Sequence, residues 1–433
     1  MKKISKIAIT TISAALMSAQ LTSCFNLDEK VYSEIAQESF TPSDRDIAAF
    51  ICSASGELGF FFDWQGLFDA MEEPADVGIT PVRPNGWDDG GTYQRMHKHT
   101  WDSEQWQPWN VYETCFRGIN TTNRVMGQIE SDNLPLGAEK DATIAELKAW
   151  RALWYSILLD SHGNVPIVTS FSDSVPGYST RKQVYDFVTS ELNSVINEGK
   201  LTKEKSANTY SRLNLWTAKM TLMRVYLNAE VYVGTKAYDK ALKLAEDIIE
   251  NSPYELSPAY EDNFKVNLDH TNTEVMFAIP YDAKLQSGGH VFSQNAKWYT
   301  PVSKEYFGWS YQCWGGSCAN PQFVNSYQPS DTRKEKTWMY GQCKNGDKII
   351  WTNLNYLPSL TCAKDGQSLT CIDFGLRQTK FEQDKETTFY WSNDFPFFRL
   401  AEAYLTKAEC LLRLGEREAD AVDAVNKVRA RVA

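Results

Sequence analysis

Apolar side chains recur at spacings of three and four along much of the chain, the period of a helix face. Over residues 138–160 the positions Leu147, Trp150, Trp154, Ile157 and Leu158 share one face, Gly163 suits the stop, and Pro166 lies just beyond. The same period predicts helices over about 43–58, 103–131, 181–198, 213–231 and 237–250, with Ser43 as an N-cap ahead of Asp44 and Asp46. A loop rich in Gly and Pro interrupts at about 74–91. From about 254 to 390 the pattern changes: residues 274–279 read as a strand, and long loops dense in Gly, Asn, Trp and Tyr follow. Helical pattern resumes at Pro396 and runs to the end, broken at Gly415.

Two helix pairs carry a tetratricopeptide-like signature with a period near 34 residues. In one, Tyr232 stands in the first helix and Tyr238, Ala241, Ala245 and Pro253 in the second. In the other, Ala401, Leu405, Ala408 and Leu412 line one face, Gly415 makes the turn, and Ala421, Val425 and Val428 line the return. Small residues at helix crossings allow close approach, which accounts for the alanines. The fold class expected is mainly α: tetratricopeptide-like helical hairpins packed against a loop-rich region with a few short strands. Such stacks usually serve as scaffolds or binding surfaces.

The first 24 residues set the compartment. Lys2, Lys3 and Lys6 precede a weakly apolar run over 7–19 that is too short to cross a bilayer, which marks a secretory signal. It ends in Leu21-Thr22-Ser23-Cys24, a bacterial lipobox, so Cys24 is the expected lipidation site and residues 1–23 the lipoprotein signal peptide. Residues 24–42 then form anchor and tether, and acyl chains hold the remainder to a membrane.

Charge narrows the partners. The chain has 433 residues and a formal charge of -11, and loss of 1–23 removes three Lys and no acid, leaving -14. That balance argues against nucleic acid, whose binders neutralise phosphates with Lys and Arg. Aromatic residues reach 13% although mean hydropathy is -0.43, so some rings are expected to face a ligand.

An exported location permits disulfides. Cys313 and Cys318, like Cys362 and Cys371, lie close enough to close small loops, whereas Cys52, Cys115 and Cys410 fall in helical stretches and read as buried free thiols. No Cys-x-x-Cys or His-x-x-x-His occurs, and no metal ligand set is assigned. Calcium is compatible with so acidic a surface, but no EF-hand-like pattern places it.

Taken in order, the motifs resemble the SusD/RagB family of outer-membrane nutrient-binding lipoproteins of Bacteroidetes. They begin with Cys24 and Leu27-Asp28 and run through Tyr112, Ile119-Asn120, and Glu146 to Ala152 leading into Gly163-Asn164-Val165-Pro166. The segments 218–227 and 238–249 follow, then Tyr260 and Phe264 before 274–279, and Asp331-Thr332-Arg333. The most specific stretch is 394–431, with Arg399-Leu400-Ala401-Glu402 and Asn426-Lys427-Val428-Arg429-Ala430-Arg431. The resemblance implies one domain over 43–433: an N-terminal helical half (43–253), a loop-rich ligand-binding region (254–393) and a C-terminal helical hairpin (394–433). Members usually continue for several dozen residues past the last motif, so the sequence is expected to be C-terminally short. A departure after Leu-Asp, Val31 in place of Pro, is minor.

Sugars present flat C–H faces that pack on rings, while their hydroxyls need polar groups at the ring edge. Residues 298–314 hold seven rings in seventeen positions, with no helical period, with Gly308 inside and with Gly315 and Gly316 directly after. Trp298, Tyr299, Trp309, Tyr311 and Trp314 are therefore candidate ligand contacts, although about half of the seven rings are expected to be core. The loop 83–93 adds Trp87, Asp88 and Tyr93 among Asn, Asp and Gly. Phe60, Phe61, Phe62, Trp64, Trp101, Trp106 and Trp109 border helices and are expected in the core. His97 and His99 read as a solvated turn.

No catalytic residue is assigned. Acid pairs such as Glu72 with Glu73 or Asp88 with Asp89 could serve glycoside cleavage, but they arise easily among 55 acids. The reading is a non-enzymatic lipoprotein that captures oligosaccharides at the cell surface and, as the resemblance implies, delivers them to a SusC-like TonB-dependent transporter. The alternatives are a surface-tethered helical-fold glycoside hydrolase or lyase, and a ligand-free helical-repeat adaptor.

Overall fold

The computed structural model describes residues 43–61, 66–81, 89–172, 174, 176–285, 303–310, 313, 316–339, 342–352, 376–384 and 390–432. The chain divides into compact units of residues 1–46 and 47–433. Ser43 Oγ accepts from the Asp46 amide at 3.3 Å and the Ser43 amide donates to the Asp46 carboxylate at 2.9 Å, starting helix α1 (Asp44–Ser53) as its sequence predicts. Among the described residues no helix is long and apolar enough to cross a membrane.

The larger unit is built on a run of helices in which each packs on the next: α2 (Trp106–Glu130), α3 (Lys140–Ser161), α4 (Arg181–Glu198), α5 (Leu215–Leu227) and α6 (Tyr238–Asn251). The next partner of α6 in space is α7 (Leu400–Leu414), followed by α8 (Glu418–Arg429). One stack of hairpins is thus assembled from two distant parts of the chain, and the segment between them is an excursion from it. Caps fix the helix starts. Thr180 and Gln183 form a capping box on α4, and the Asn214 side chain accepts from the Trp216 and Thr217 amides on α5.

Packing explains the residues chosen at the crossings. Gly118 on α2 lies against the buried Trp154 of α3, and a Cβ there would sit 2.3 Å from the indole. Arg151 of α3 ties three helices: it is ion-paired with Glu191 of α4, donates to Asn123 Oδ1 of α2 at 2.8 Å, and reaches the Thr169 carbonyl at 2.9 Å. Tyr238, Ala241 and Ala245 are buried, as are Ala401, Ala408 and Ala421. Leu405 and Leu412 depart from expectation and are exposed, because α7 turns Leu400, Ala403, Cys410 and Leu411 inward instead.

Four antiparallel strand pairs complete the described fold, and two of them position the loops. Strand β4 (Val275–Ile279) pairs with β8 (Phe395–Arg399), Ile279 opposite Phe395 and Val275 opposite Arg399, so the excursion closes on itself before α7 begins. Strand β1 (Gly78–Ile79) pairs with β5 (Cys318–Ala319) and fastens the early loop to the central region. The others are β2 (Val165–Pro166) with β3 (Tyr178–Ser179), and β6 (Gln342–Asn345) with β7 (Lys348–Thr352). Residues 396–399 are therefore strand and not the predicted helix start. Pro396 and Phe398 alternate inward, a period of two that only the distant β4 makes productive.

Beside β4, Glu274 is fully buried and fastens three segments. It accepts from Asn263 Nδ2 (2.9 Å), the Ser257 amide (3.1 Å), Arg399 Nη1 (3.3 Å) and Arg431 Nη2 (3.1 Å). Burial pushes its carboxyl up, but Arg431 and Arg399 outweigh this and hold it below the usual carboxylate range. Among the cysteines, Cys115 and Cys410 are buried free thiols as expected, while Cys52 is exposed. Cys318 is also a buried free thiol and does not pair with Cys313. Cys24, Cys362 and Cys371 lie outside the described residues.

Candidate functional site

Helix α2 begins with Trp106, Gln107, Pro108 and Trp109, and the loop before it holds Trp101. All three tryptophans face solvent, at 46% (Trp101), 45% (Trp106) and 59% (Trp109) exposure. This corrects the expectation that they are core. The buried stripe of α2 runs through Val111, Cys115, Ile119, Val125 and Ile129. At about 100° per residue Trp109 stands roughly 200° from Val111, and Trp106 roughly 140°, so neither can join that stripe. Their i,i+3 spacing places both rings on one side of the first turn.

Next to Trp106 is a cleft of about 230 Å³ lined by Asp89, Thr92, Arg95, Asp102, Glu104 and Gln105. Its floor is built by local geometry. Asp89, Gly90 and Gly91 take left-handed φ of 45°, 61° and 76°, which glycine adopts freely, and this reversal aims the Gly90 carbonyl at Arg95 Nη1 (2.9 Å). Arg95 Nε donates to Gln105 Oε1 at 2.8 Å, so the N-cap side chain of α2 braces the guanidinium. Asp102 accepts from the Glu104 amide at 3.0 Å and Thr92 donates to Gln107 Oε1 at 3.2 Å. The amide nitrogens of Gln105 and Gln107 are buried, with no hydrogen-bond partner among the described residues.

The loop that ends at Asp89 is pinned from below. Glu73 Oε1 accepts from Thr80 Oγ1 at 2.6 Å, Gln94 Nε2 donates to the Thr80 carbonyl at 2.5 Å, and Tyr93 donates to Asp69 at 3.3 Å. Tyr93 is only 3% exposed, so this candidate contact is a strut beneath the cleft. His99 Nε2 lies 2.9 Å from the Pro74 carbonyl. Among the described residues no group of three or more His, Cys, Asp and Glu could hold a metal ion.

Trp309 is likewise 2% exposed: its ring stacks on Phe307 (4.6 Å, 25°), meets Trp391 edge-on (5.0 Å, 80°) and donates Nε1–H to the Asp384 carbonyl at 3.2 Å. The exposed ring in the described part of that aromatic window is Tyr306, at 47%. Trp87, Asp88, Trp298, Tyr299, Tyr311 and Trp314 lie outside the described residues, as do Phe62 and Trp64 and the side chains of Phe60 and Phe61. In sequence, Trp87 and Asp88 directly precede the cleft residue Asp89.

Chemically the cleft offers carboxylates and an amide to accept and donate hydrogen bonds, one guanidinium, and the flat apolar indole of Trp106. Three acids against one arginine disfavour an anionic ligand. Hydroxyls can pair with such groups at the edge while a ring face lies on indole.

Known proteins share the fold. Residues 273–433 match the model of the SusD family, and residues 73–227 match the model described as starch-binding associating with outer membrane. The chain is 26% identical over 415 residues to the starch-binding protein SusD of Bacteroides thetaiotaomicron, covering 87% of this chain and 71% of that protein. Among solved structures it resembles surface glycan-binding protein A from Bacteroides uniformis (TM-score 0.72, 17% identity, 90% of this chain and 81% of that one). A second is surface glycan-binding protein A from Bacteroides thetaiotaomicron in complex with laminarihexaose (TM-score 0.69, 19% identity, 90% and 83%). With related models matched on both sides of α6 and the same mainly helical fold in the solved relatives, the chain belongs to the SusD/RagB family.

Proposed function

We propose that the protein is a surface glycan-binding lipoprotein that holds a neutral oligosaccharide against Trp101, Trp106 and Trp109 and the polar cleft beside them. The observation that carries this reading is the exposed Trp106 at a braced hydrogen-bonding cleft, with exposed Trp109 three residues on and exposed Trp101 in the loop before it. Relatives named for starch and laminarin binding support the ligand class. The activity is binding, with no bond cleaved. Trp87 and Asp88 extend the site from the preceding loop, and Trp298, Tyr299, Tyr306, Tyr311 and Trp314 contribute further rings from the central region.

In the same reading Cys24 carries the lipid that anchors the protein to the outer membrane, facing outward, and a SusC-like TonB-dependent transporter receives the oligosaccharide. The boundaries 43–253, 254–393 and 394–433 correspond to stack, binding excursion and closing hairpin. Affinity electrophoresis in gels containing starch, laminarin or other neutral polysaccharides tests the ligand class. Retardation by at least one, reduced in the Trp106→Ala/Trp109→Ala variant, is expected, and unaltered retardation in that variant rejects the site.

A further inference from the structure

We propose that a second cleft, remote in character from the tryptophan site, binds a sugar ring that carries a carboxylate, a uronate. This cleft of about 260 Å³ lies where the turn Tyr260–Phe264, the helix Arg333–Thr337 and β8 meet. Its charge runs opposite to that of the chain. Arg333, Lys380 and Arg399 line it against a single acid, Glu72, although the protein as a whole is at -11.

Two of these cations gather over one ring: Lys380 Nζ is 4.6 Å and the Arg399 guanidinium 5.3 Å from the centroid of Phe264. Arg333 is held by Asp331 and Arg399 by Glu274, so both are fixed in place. Lys380 is half-buried and makes no ion pair among the described residues, which leaves its charge for a ligand.

The walls are aromatic. Tyr260, Tyr327 and Phe395 line it half-buried, backed by the buried Phe264 and Phe381, which meet edge-on at 5.3 Å, while Phe381 and Phe395 stack at 6.0 Å. Thr337 lines the cleft, and its hydroxyl is buried with no hydrogen-bond partner among the described residues. A uronate satisfies these features: carboxylate on Lys380 and Arg399, ring face on the half-buried Tyr260 and Phe395, hydroxyl on Thr337. The acidic tryptophan cleft would repel the same ligand, so the two sites select complementary parts of a glycan.

Titration of the full chain with D-glucuronate, D-glucose and benzoate, read by calorimetry or saturation-transfer NMR, tests this. Glucuronate should bind more tightly than either of the others and more weakly as salt rises. Lys380→Gln should weaken it by about tenfold, the order of one charge-assisted hydrogen bond. Lys380→Arg and Trp109→Ala should retain it. Equal binding of glucose, tighter binding of benzoate, or insensitivity to Lys380→Gln would overturn the proposal.

Discussion

Substituting Glu274 by Ala tests how the hairpin stack is fastened to the binding excursion. Glu274 is 0% exposed, and its partner Arg431 on the segment after α8 is largely buried as well. Removing the carboxylate strands the Arg431 guanidinium, the Asn263 amide and the Ser257 N–H in a dry site and takes the ion-pair partner from Arg399. Breaking a buried pair by removing one partner costs about 3–5 kcal/mol, because the remaining charge stays desolvated. Equilibrium urea unfolding should show a loss of that size for Glu274→Ala. Glu274→Gln keeps the shape and part of the hydrogen bonding, so it should lose less. The same carboxyl is held below its ordinary range, so its stabilisation is complete above the unfolded value near 4.3 and is lost as pH falls through the lower folded value. The penalty of Glu274→Ala should therefore shrink in acid. A loss below about 1 kcal/mol at neutral pH, the scale of exposed pairs, would refute the reasoning.

Two further outcomes concern stability. Gly118→Ala would place a methyl 2.3 Å from the Trp154 ring and should destabilise by about 1–3 kcal/mol in urea unfolding, where an Ala-for-Gly change in an open helix would stabilise. Asp394 accepts from Tyr210 (2.6 Å) and from the Tyr281 amide (2.8 Å), yet burial pushes its carboxyl up to about 6. Its folded value exceeds the unfolded value near 3.9, so its contribution is full below that pH and is lost as pH rises through about 6. A shift of this size corresponds to up to about 3 kcal/mol, and thermal melts of Asp394→Asn should show a flatter profile across that window.

Much of the stack was legible because its signals are local. The period through Leu147, Trp150 and Trp154 located α3, and Arg181–Glu198 matched α4 at both ends because Thr180 and Gln183 box its start. The strand character of residues 396–399 was not legible, since β8 exists only through pairing with residues more than a hundred positions earlier. The exposed face of α7 was hidden for a similar reason: spacing puts Leu405 and Leu412 in line with Ala401 and Ala408, and only the neighbouring helices decide which side is covered.

At the binding surface the error ran the other way. A position at the border of a helix suggests core for Trp101, Trp106 and Trp109, although the phase of Val111, Cys115 and Ile119 places Trp106 and Trp109 off the buried stripe. Tyr93 and Trp309 were assigned to the ligand by loop composition, but composition does not distinguish a ring that lines a loop from one that fills it. Both are buried, and each ring's polar atom donates a hydrogen bond.

The most direct test of the central claim is calorimetric titration of neutral oligosaccharides into the intact protein and the Trp106→Ala/Trp109→Ala variant. The wild type should bind at least one glycan. The variant should lose about 2 kcal/mol or more, roughly 30-fold in affinity, as expected when exposed aromatic anchors are removed, with urea unfolding unchanged. Binding of equal strength by both proteins, or no binding of any glycan by the wild type, would contradict the account.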